Sequence, residues 1–258
     1  MAGMIKAKKG LGQHFLTQKS IAKEIVKAFV TKVNGSPVLE IGPGKGILTG
    51  FLADYSLDLY LIDADLDMIS ILQNRFPDLV PNTIHADILK FPLDQFFKGN
   101  FNIIGNFPYN ISSQIAFKIL NHRNQVNLVV GMFQKEVAER LCAKHGSKKY
   151  GILSVFLQIF YSMEYLFSVE PSAFSPAPKV TSGVVRMTRN QFDLDDKSEK
   201  FLRLIVKSAF NKRRKMLRNS LKSFIPEHAR EDEIFSKRPE QLSVQDFLNL
   251  SQQLLKLT

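Results

Sequence analysis

VLEIGPGKGIL, residues 38–48, carries an apolar strand-like run into a turn with three glycines and then into a helical pattern. Glycines placed where a first strand ends let a ligand approach the backbone at the carboxyl edge of an open α/β sheet. A tight turn that binds nothing is the plain alternative for such a loop, and a nicotinamide site is another.

Working outward, apolar runs at 37–41, 57–62, 83–85, 101–105 and 126–133 alternate with helical patterns at 47–55, 67–76, 112–121, 135–144 and 152–160. That alternation predicts a mostly parallel sheet covered by helices on both faces. Residues 21–33 put Ile21, Ile25, Val26, Phe29, Val30 and Val33 on one face and lysines on the other, an amphipathic helix with Ser20 as its available cap. Further on, MEYLFSV (163–169) and GVVRM (183–187) flank the proline-rich FSPAPKV, which predicts an antiparallel pair closing the sheet edge. The polar stretch QFDLDDKSEK (191–200) reads as a linker, and only helical patterns follow, among them 201–210 and 244–256. The expectation is an α/β domain over residues 1–190 and a small all-helical C-terminal domain over residues 191–258.

The 258 residues are 45% hydrophobic and 23% charged, enough for a core of ordinary size. A formal net charge of +11 and a pI near 9.6 draw a polyanion to the surface. No apolar run approaches the ~20 residues that span a bilayer, and the basic N-terminus has no signal-peptide core, so a soluble cytoplasmic protein is expected. Cys142 is the one cysteine, which excludes an intrachain disulfide and a multi-cysteine metal site; its helical context suggests a buried small hydrophobe.

A dinucleotide fingerprint wants Gly or Ala where this chain has Ile47, because the helix must pack closely and aim its N-terminus at a pyrophosphate. S-adenosylmethionine carries no phosphate; it needs room for an amino acid and a sulfonium, and a carboxylate for its ribose. Asp63, at the end of LYLID and about 20 residues beyond the first glycine, supplies that carboxylate, with Asp65 as the alternative. Asp87, in IHADIL, is placed to accept from the adenine amine of the cofactor or else to close an Asx-turn. These features point to a Rossmann-like S-adenosylmethionine-dependent methyltransferase domain.

IIGNFPYNIS carries the chemistry. An adenine amino group is a poor nucleophile because its lone pair is delocalised into the ring. The Asn106 side-chain oxygen and the Phe107 carbonyl can accept its two protons, Pro108 biases Phe107 toward an extended conformation, and Tyr109 can stack on an extruded base. No metal or strong base is needed, since the leaving group is a neutral thioether and the transfer depends on positioning.

These motifs, in this order, resemble the KsgA/RsmA family of small-subunit ribosomal RNA adenine dimethyltransferases: KKGLGQHFL, VLEIGPGKGILT, IDADLDM, HADILKF, NFPYNIS, FSPAPKVTSGVV and FNKRRKMLRNSL. The resemblance implies cofactor contacts from His14, Leu16, Gly42, Asp63, Asp87 and Asn106. It departs from the commonest pattern at His14 (often Asn), Asp63 (usually Glu) and Phe107 (usually Leu); Phe107 is expected to act through its backbone. Phe174 in FSPAPKV is a second aromatic wall for the target base or a core residue. Lys6, Lys8 and Lys9 would face RNA, or form a solvated tail. The implied substrate is 16S rRNA in an immature small ribosomal subunit, two adjacent adenosines in a hairpin near its 3′ end, with the enzyme acting as a monomer without metal or membrane.

Five cations, Lys212, Arg213, Arg214, Lys215 and Arg218, fall within seven residues and are expected to contact RNA phosphate. A large-subunit Erm-type methyltransferase, a non-catalytic nucleic-acid-binding factor of the same fold and a nicotinamide oxidoreductase are the competing functions.

Overall fold

A computed structural model describes residues 8–257; Lys6 and the side chain of Lys9 fall outside the described part. In chain order the elements are β1 (Phe15–Leu16), α1 (Lys19–Val30), β2 (Val38–Ile41), α2 (Ile47–Leu52), β3 (Leu59–Asp63), α3 (Leu66–Arg75), β4 (Thr83–His85), α4 (Leu93–Phe96), β5 (Phe101–Asn106), α5 (Ser112–Asn121), β6 (Val126–Gln134), α6 (Lys135–Leu141), α7 (Ile152–Phe160), β7 (Tyr161–Val169), β8 (Phe174–Ser175), β9 (Ser182–Arg189), α8 (Asp196–Asn211), α9 (Leu217–Ser220) and α10 (Val244–Leu257). The main sheet has the order β4-β3-β2-β5-β6-β9-β7. Its first five strands are parallel, and β9 runs antiparallel to β6. A separate two-stranded ladder pairs Phe15 with Ser175 and Leu16 with Phe174.

Chain order reverses at β2: β3 and β4 extend the sheet on one side, β5 and β6 on the other. The carboxyl ends of β2 and β5 therefore flank the switch point where such sheets bind ligands. All four residues of β2 are buried, as expected for a central parallel strand covered on both faces. Helix α1 buries Ala22, Ile25, Val26 and Phe29. Removing a large aliphatic or aromatic side chain from water is worth about 1.5–3 kcal/mol, so this stripe holds the helix on the sheet.

The chain divides into two compact units. One holds the chain through Glu139 together with Ser162–Arg189; the other holds Arg140–Tyr161 and the chain from Asn190 onward. The boundary expected at residue 190 thus falls between β9 and α8, while residues 140–161 group with the helical unit. Helix α7 is buried almost all round. Its Ser154 hydroxyl donates to the Arg140 carbonyl at 2.5 Å, and Gln158 donates to Leu141 and Ala143, each at 2.9 Å. Within the same unit Phe210 of α8 stacks on Phe247 of α10, centroids 5.8 Å apart.

Several boundaries differ from the sequence expectation for local reasons. Helix α1 starts at Lys19, with Gln18 as N-cap and no side-chain cap bond, so Ser20 lies inside its first turn. Half of the expected linker is helix: Asp195 caps α8 by accepting from the Ser198 amide at 2.9 Å, and acidic Asp196 and Glu199 favour its N-terminal dipole. Helix α2 stops at Leu52, before the polar turn that leaves Tyr55 exposed. Helix α6 stops at Leu141, so Cys142 follows it half-buried rather than as a core residue.

Candidate active site

At the end of β2, Gly42 adopts a φ of 66° and its amide donates to Ile62 of β3 at 2.9 Å. A Cβ there would sit 3.5 Å from Pro108 Cδ and 3.6 Å from the Asn106 carbonyl oxygen. The left-handed backbone, which glycine adopts without a Cβ penalty, brings the glycine loop against the turn after β5. A cleft of about 260 Å³ opens there, lined by residues 11–16 and by the strand ends after β2, β3, β4 and β5.

Asp63 lines this cleft. Its carboxylate accepts from the Gly44 amide at 3.2 Å and the Asp65 amide at 2.9 Å, and burial pushes its pKa up against those bonds. Asp65 is committed elsewhere. It is 2% exposed, caps α3 through the Asp67 amide, and takes Lys8 Nζ at 2.5 Å and Gln13 Nε2 at 2.8 Å. Burial works to raise its pKa, but Lys8, Gln13 and the Asp67 amide together hold it below the usual carboxylate range. Lys8, which the sequence left facing RNA or solvent, instead folds back onto Asp65 and, at 2.7 Å, Asp67. Asp87 does two things at once: its Oδ1 closes an Asx-turn with the Leu89 amide at 2.9 Å, and the residue lines the cleft.

After β5, Asn106, Phe107, Pro108 and Tyr109 all line the cleft. Asn106 Nδ2 donates to the His14 carbonyl at 2.9 Å, while its Oδ1 is buried without a partner. The Phe107 amide donates to Met132 of β6 at 3.1 Å; its carbonyl meets no donor among the described residues. Beside the backbone through which Phe107 is expected to act, its side chain is an anchor. It is 1% exposed, packs edge-on to Phe133 at 5.0 Å, and lies over paired Gly105 and Gly131, where a Cβ at either would approach its ring within 3.0 Å.

Tyr109 hydrogen-bonds through its hydroxyl to Ser182 of β9, its ring 5.3 Å from that of His14. Burial raises its pKa, with the Ser182 bond opposing. His14 and Leu16 both line the cleft, and the His14 ring contacts the Pro176 carbonyl at 2.9 Å. Phe174 takes the core alternative: it is 5% exposed, packs in the cluster with Leu16 and Val184, and meets only the edge of Tyr109 at 6.5 Å.

Glu40 escaped the sequence reading. It is 1% exposed, accepts from Thr49 Oγ1 at 2.7 Å and lines the cleft. Desolvation pushes its carboxyl up to about 8, Asp63 adding to the shift and Thr49 opposing it. Its signal was an acid inside an otherwise apolar strand, VLEI, a placement that calls for a partner or a proton.

The five cations lie in the other unit. Lys212, Arg214 and Lys215 are exposed, Arg218 is half-buried with Nη2 3.5 Å from Met216 Sδ, and Arg213 is bound internally. Among the described residues no His, Cys, Asp or Glu group is placed to hold a metal ion, and no helix is long and apolar enough to cross a membrane.

The lining suits S-adenosylmethionine: Ile47, Ile62 and Ile88 offer aliphatic surface, the carboxylates of Asp63 and Asp87 suit a ligand bearing sulfonium and ammonium charge, and Asn106 leaves an orphan acceptor. Fold and site together define a Rossmann-like S-adenosylmethionine-dependent methyltransferase. Residues 4–256 match the family described as Ribosomal RNA adenine dimethylase, and the chain belongs to that family. It is an S-adenosylmethionine-dependent ribosomal RNA adenine dimethyltransferase.

Relatives named Ribosomal RNA small subunit methyltransferase A include one from Parabacteroides distasonis, 49% identical over 96% of this chain and 94% of its own. Another, from Flavobacterium johnsoniae, is 50% identical over 97% and 96%. A dimethyladenosine transferase from Plasmodium falciparum superposes with a TM-score of 0.80 at 27% identity, over 94% of this chain and 98% of that one. The 23S rRNA methyltransferase ErmE shares the fold, with a TM-score of 0.70 at 23% identity, over 91% and 98%.

Proposed function

We propose that this chain dimethylates the exocyclic amines of two adjacent adenosines in a hairpin near the 3′ end of 16S rRNA, acting as a cytoplasmic monomer on an immature small ribosomal subunit. The observation that carries the chemistry is the divided Asn106 carboxamide, with its nitrogen tied to His14 and its buried oxygen without a partner. The small-subunit target is supported by relatives named for that subunit that match this chain nearly end to end.

S-adenosylmethionine supplies an electrophilic methyl on a sulfonium that leaves as a neutral thioether. Asp63 would accept hydrogen bonds from its ribose hydroxyls, each worth about 1.5–3 kcal/mol because one partner is charged. Asp87, through the oxygen its Asx-turn leaves over, would accept from the adenine amine, with Gly42, His14 and Leu16 shaping the pocket. Asn106 Oδ1 and the Phe107 carbonyl would accept hydrogen bonds from the two N–H groups of the target amine, favouring a pyramidal nitrogen whose lone pair faces the methyl, and once the N–C bond forms one N–H proton would leave to solvent. Tyr109 would stack on the extruded base, worth about 1–3 kcal/mol.

The test is incubation of the purified protein with labelled S-adenosylmethionine and, in parallel reactions, immature small subunits and 23S rRNA, followed by primer-extension mapping. Label in two adjacent adenosines near the 3′ end of 16S rRNA is expected. Label confined to 23S rRNA would replace this reading with the Erm-type one, and no transfer to any RNA would refute it.

A further inference from the structure

Within the helical unit, a second basic segment lies against the cation cluster that follows α8. Residues 144–149, Lys-His-Gly-Ser-Lys-Lys, form a loop in which Lys144, Lys148 and Lys149 are exposed. Arg213 binds this loop from 66 residues away: its Nη2 donates to the Ser147 carbonyl at 3.2 Å, and its Nε lies 3.9 Å from the Glu240 carboxylate. The loop is held from below as well, since the Gly146 amide donates to the Glu240 carbonyl at 2.6 Å. Arg213 is therefore half-buried and tied to the loop beside a carboxylate, whereas its neighbours Lys212, Arg214 and Lys215 are exposed.

We infer that Arg213 is a strut that fixes the 144–149 loop beside residues 212–215, and that Lys144, Lys148, Lys212, Arg214 and Lys215 form one surface for the phosphate backbone of RNA. Like charges held side by side repel, so the isolated fold gains nothing from this arrangement. A polyanion releasing counterions as it binds turns it to advantage. Of the five cations after α8, Arg213 contributes geometry rather than a phosphate contact. The inference rests on RNA being the substrate, and it places part of the RNA contact on a loop far from the cluster in sequence.

The experiment measures affinity for a hairpin RNA by fluorescence anisotropy across 50–200 mM salt. Replacing Lys144 and Lys148 with Gln should lower the slope of log affinity against log salt by about 1.4–1.8, with S-adenosylmethionine affinity unchanged. Arg213→Gln should lower the slope by more than its single charge, and adding it to the loop variant should bring little further loss. Melting curves for each variant confirm that the unit is folded. An unchanged slope for the folded loop variant would overturn the inference. So would equal losses from Arg213→Gln with and without the loop lysines, or binding to phosphatidylserine vesicles that hairpin RNA fails to compete. Methyl transfer by the unaltered protein tests the substrate reading separately, so normal transfer with an unchanged slope would sink this inference alone.

Discussion

The side-chain nitrogen of Asn106 donates to the backbone carbonyl of His14, 92 residues earlier in the chain, at 2.9 Å. Because a carbonyl can only accept, this contact assigns the amide orientation and leaves Oδ1 as the group without a partner. An unsatisfied buried acceptor costs about 1–3 kcal/mol, and a bound adenine amine would remove that cost where the reaction takes place.

Asn106→Ala should lower single-turnover methylation on the order of a hundred-fold or more, as for loss of one preorganised polar group at a reacting centre. Asn106→Asp should fail similarly, because a carboxylate cannot donate to the His14 carbonyl. Calorimetry should find cofactor affinity falling far less than turnover in both. Near-normal single-turnover rates in Asn106→Ala would remove this residue from the reaction.

Asp63→Ala should weaken S-adenosylmethionine binding by about 2–4 kcal/mol, roughly thirty- to a thousand-fold. Asp65→Ala should act chiefly on stability, losing a helix cap worth about 1 kcal/mol along with its bonds to Lys8 and Gln13. Titration calorimetry and thermal melts on both variants check the division. A larger affinity loss in the Asp65 variant would transfer the ribose contact to that residue.

Glu40 makes stability depend on pH. Its carboxyl is raised from 4.5 to about 8 by burial, so the folded protein keeps a proton that the unfolded chain releases. Stability from this site is complete below about pH 4.5, declines by up to about 1.4 kcal/mol per pH unit as pH rises toward 8, and is level above that. Glu40→Gln, which keeps an acceptor for Thr49, should flatten that decline in denaturant melts of the ligand-free protein between pH 5 and 9. Parallel profiles for the two proteins would show that Glu40 does not titrate this way.

Phe107→Ala should destabilise the protein by about 3–5 kcal/mol, the usual range for emptying a buried aromatic site, since the ring fills the space over Gly105 and Gly131. Phe107→Leu should recover most of that stability and keep methyl transfer, because the carbonyl proposed to serve the reaction is unchanged. Loss of transfer in a fully stable Phe107→Leu protein would mean that the ring itself aims the carbonyl.

Much of the molecule was legible in local pattern. The alternation of strands and helices, the glycine turn after β2 and the NFPY turn after β5 are short-range features, and their period and turn chemistry are set by residues within one element. Helices 112–121 and 152–160 appear with the bounds their periodicity predicts. The order of the motifs along the chain identified the family. The sequence alone also placed Asp63 at a strand end, ahead of its rival Asp65.

What the tertiary structure decided are relationships between residues far apart. Whether Asp65 or Asp63 is available depends on Lys8 and Gln13 folding onto one of them. Which atom of Asn106 is left without a partner depends on the carbonyl of His14. Phe174 is core because β8 pairs with β1, and Arg213 is a strut because Ser147 lies beside it. The physical reason is common to all of these. Helical period, strand alternation and turn preference act over a few residues, whereas hydrogen-bond satisfaction and burial are settled only when distant segments close on one another.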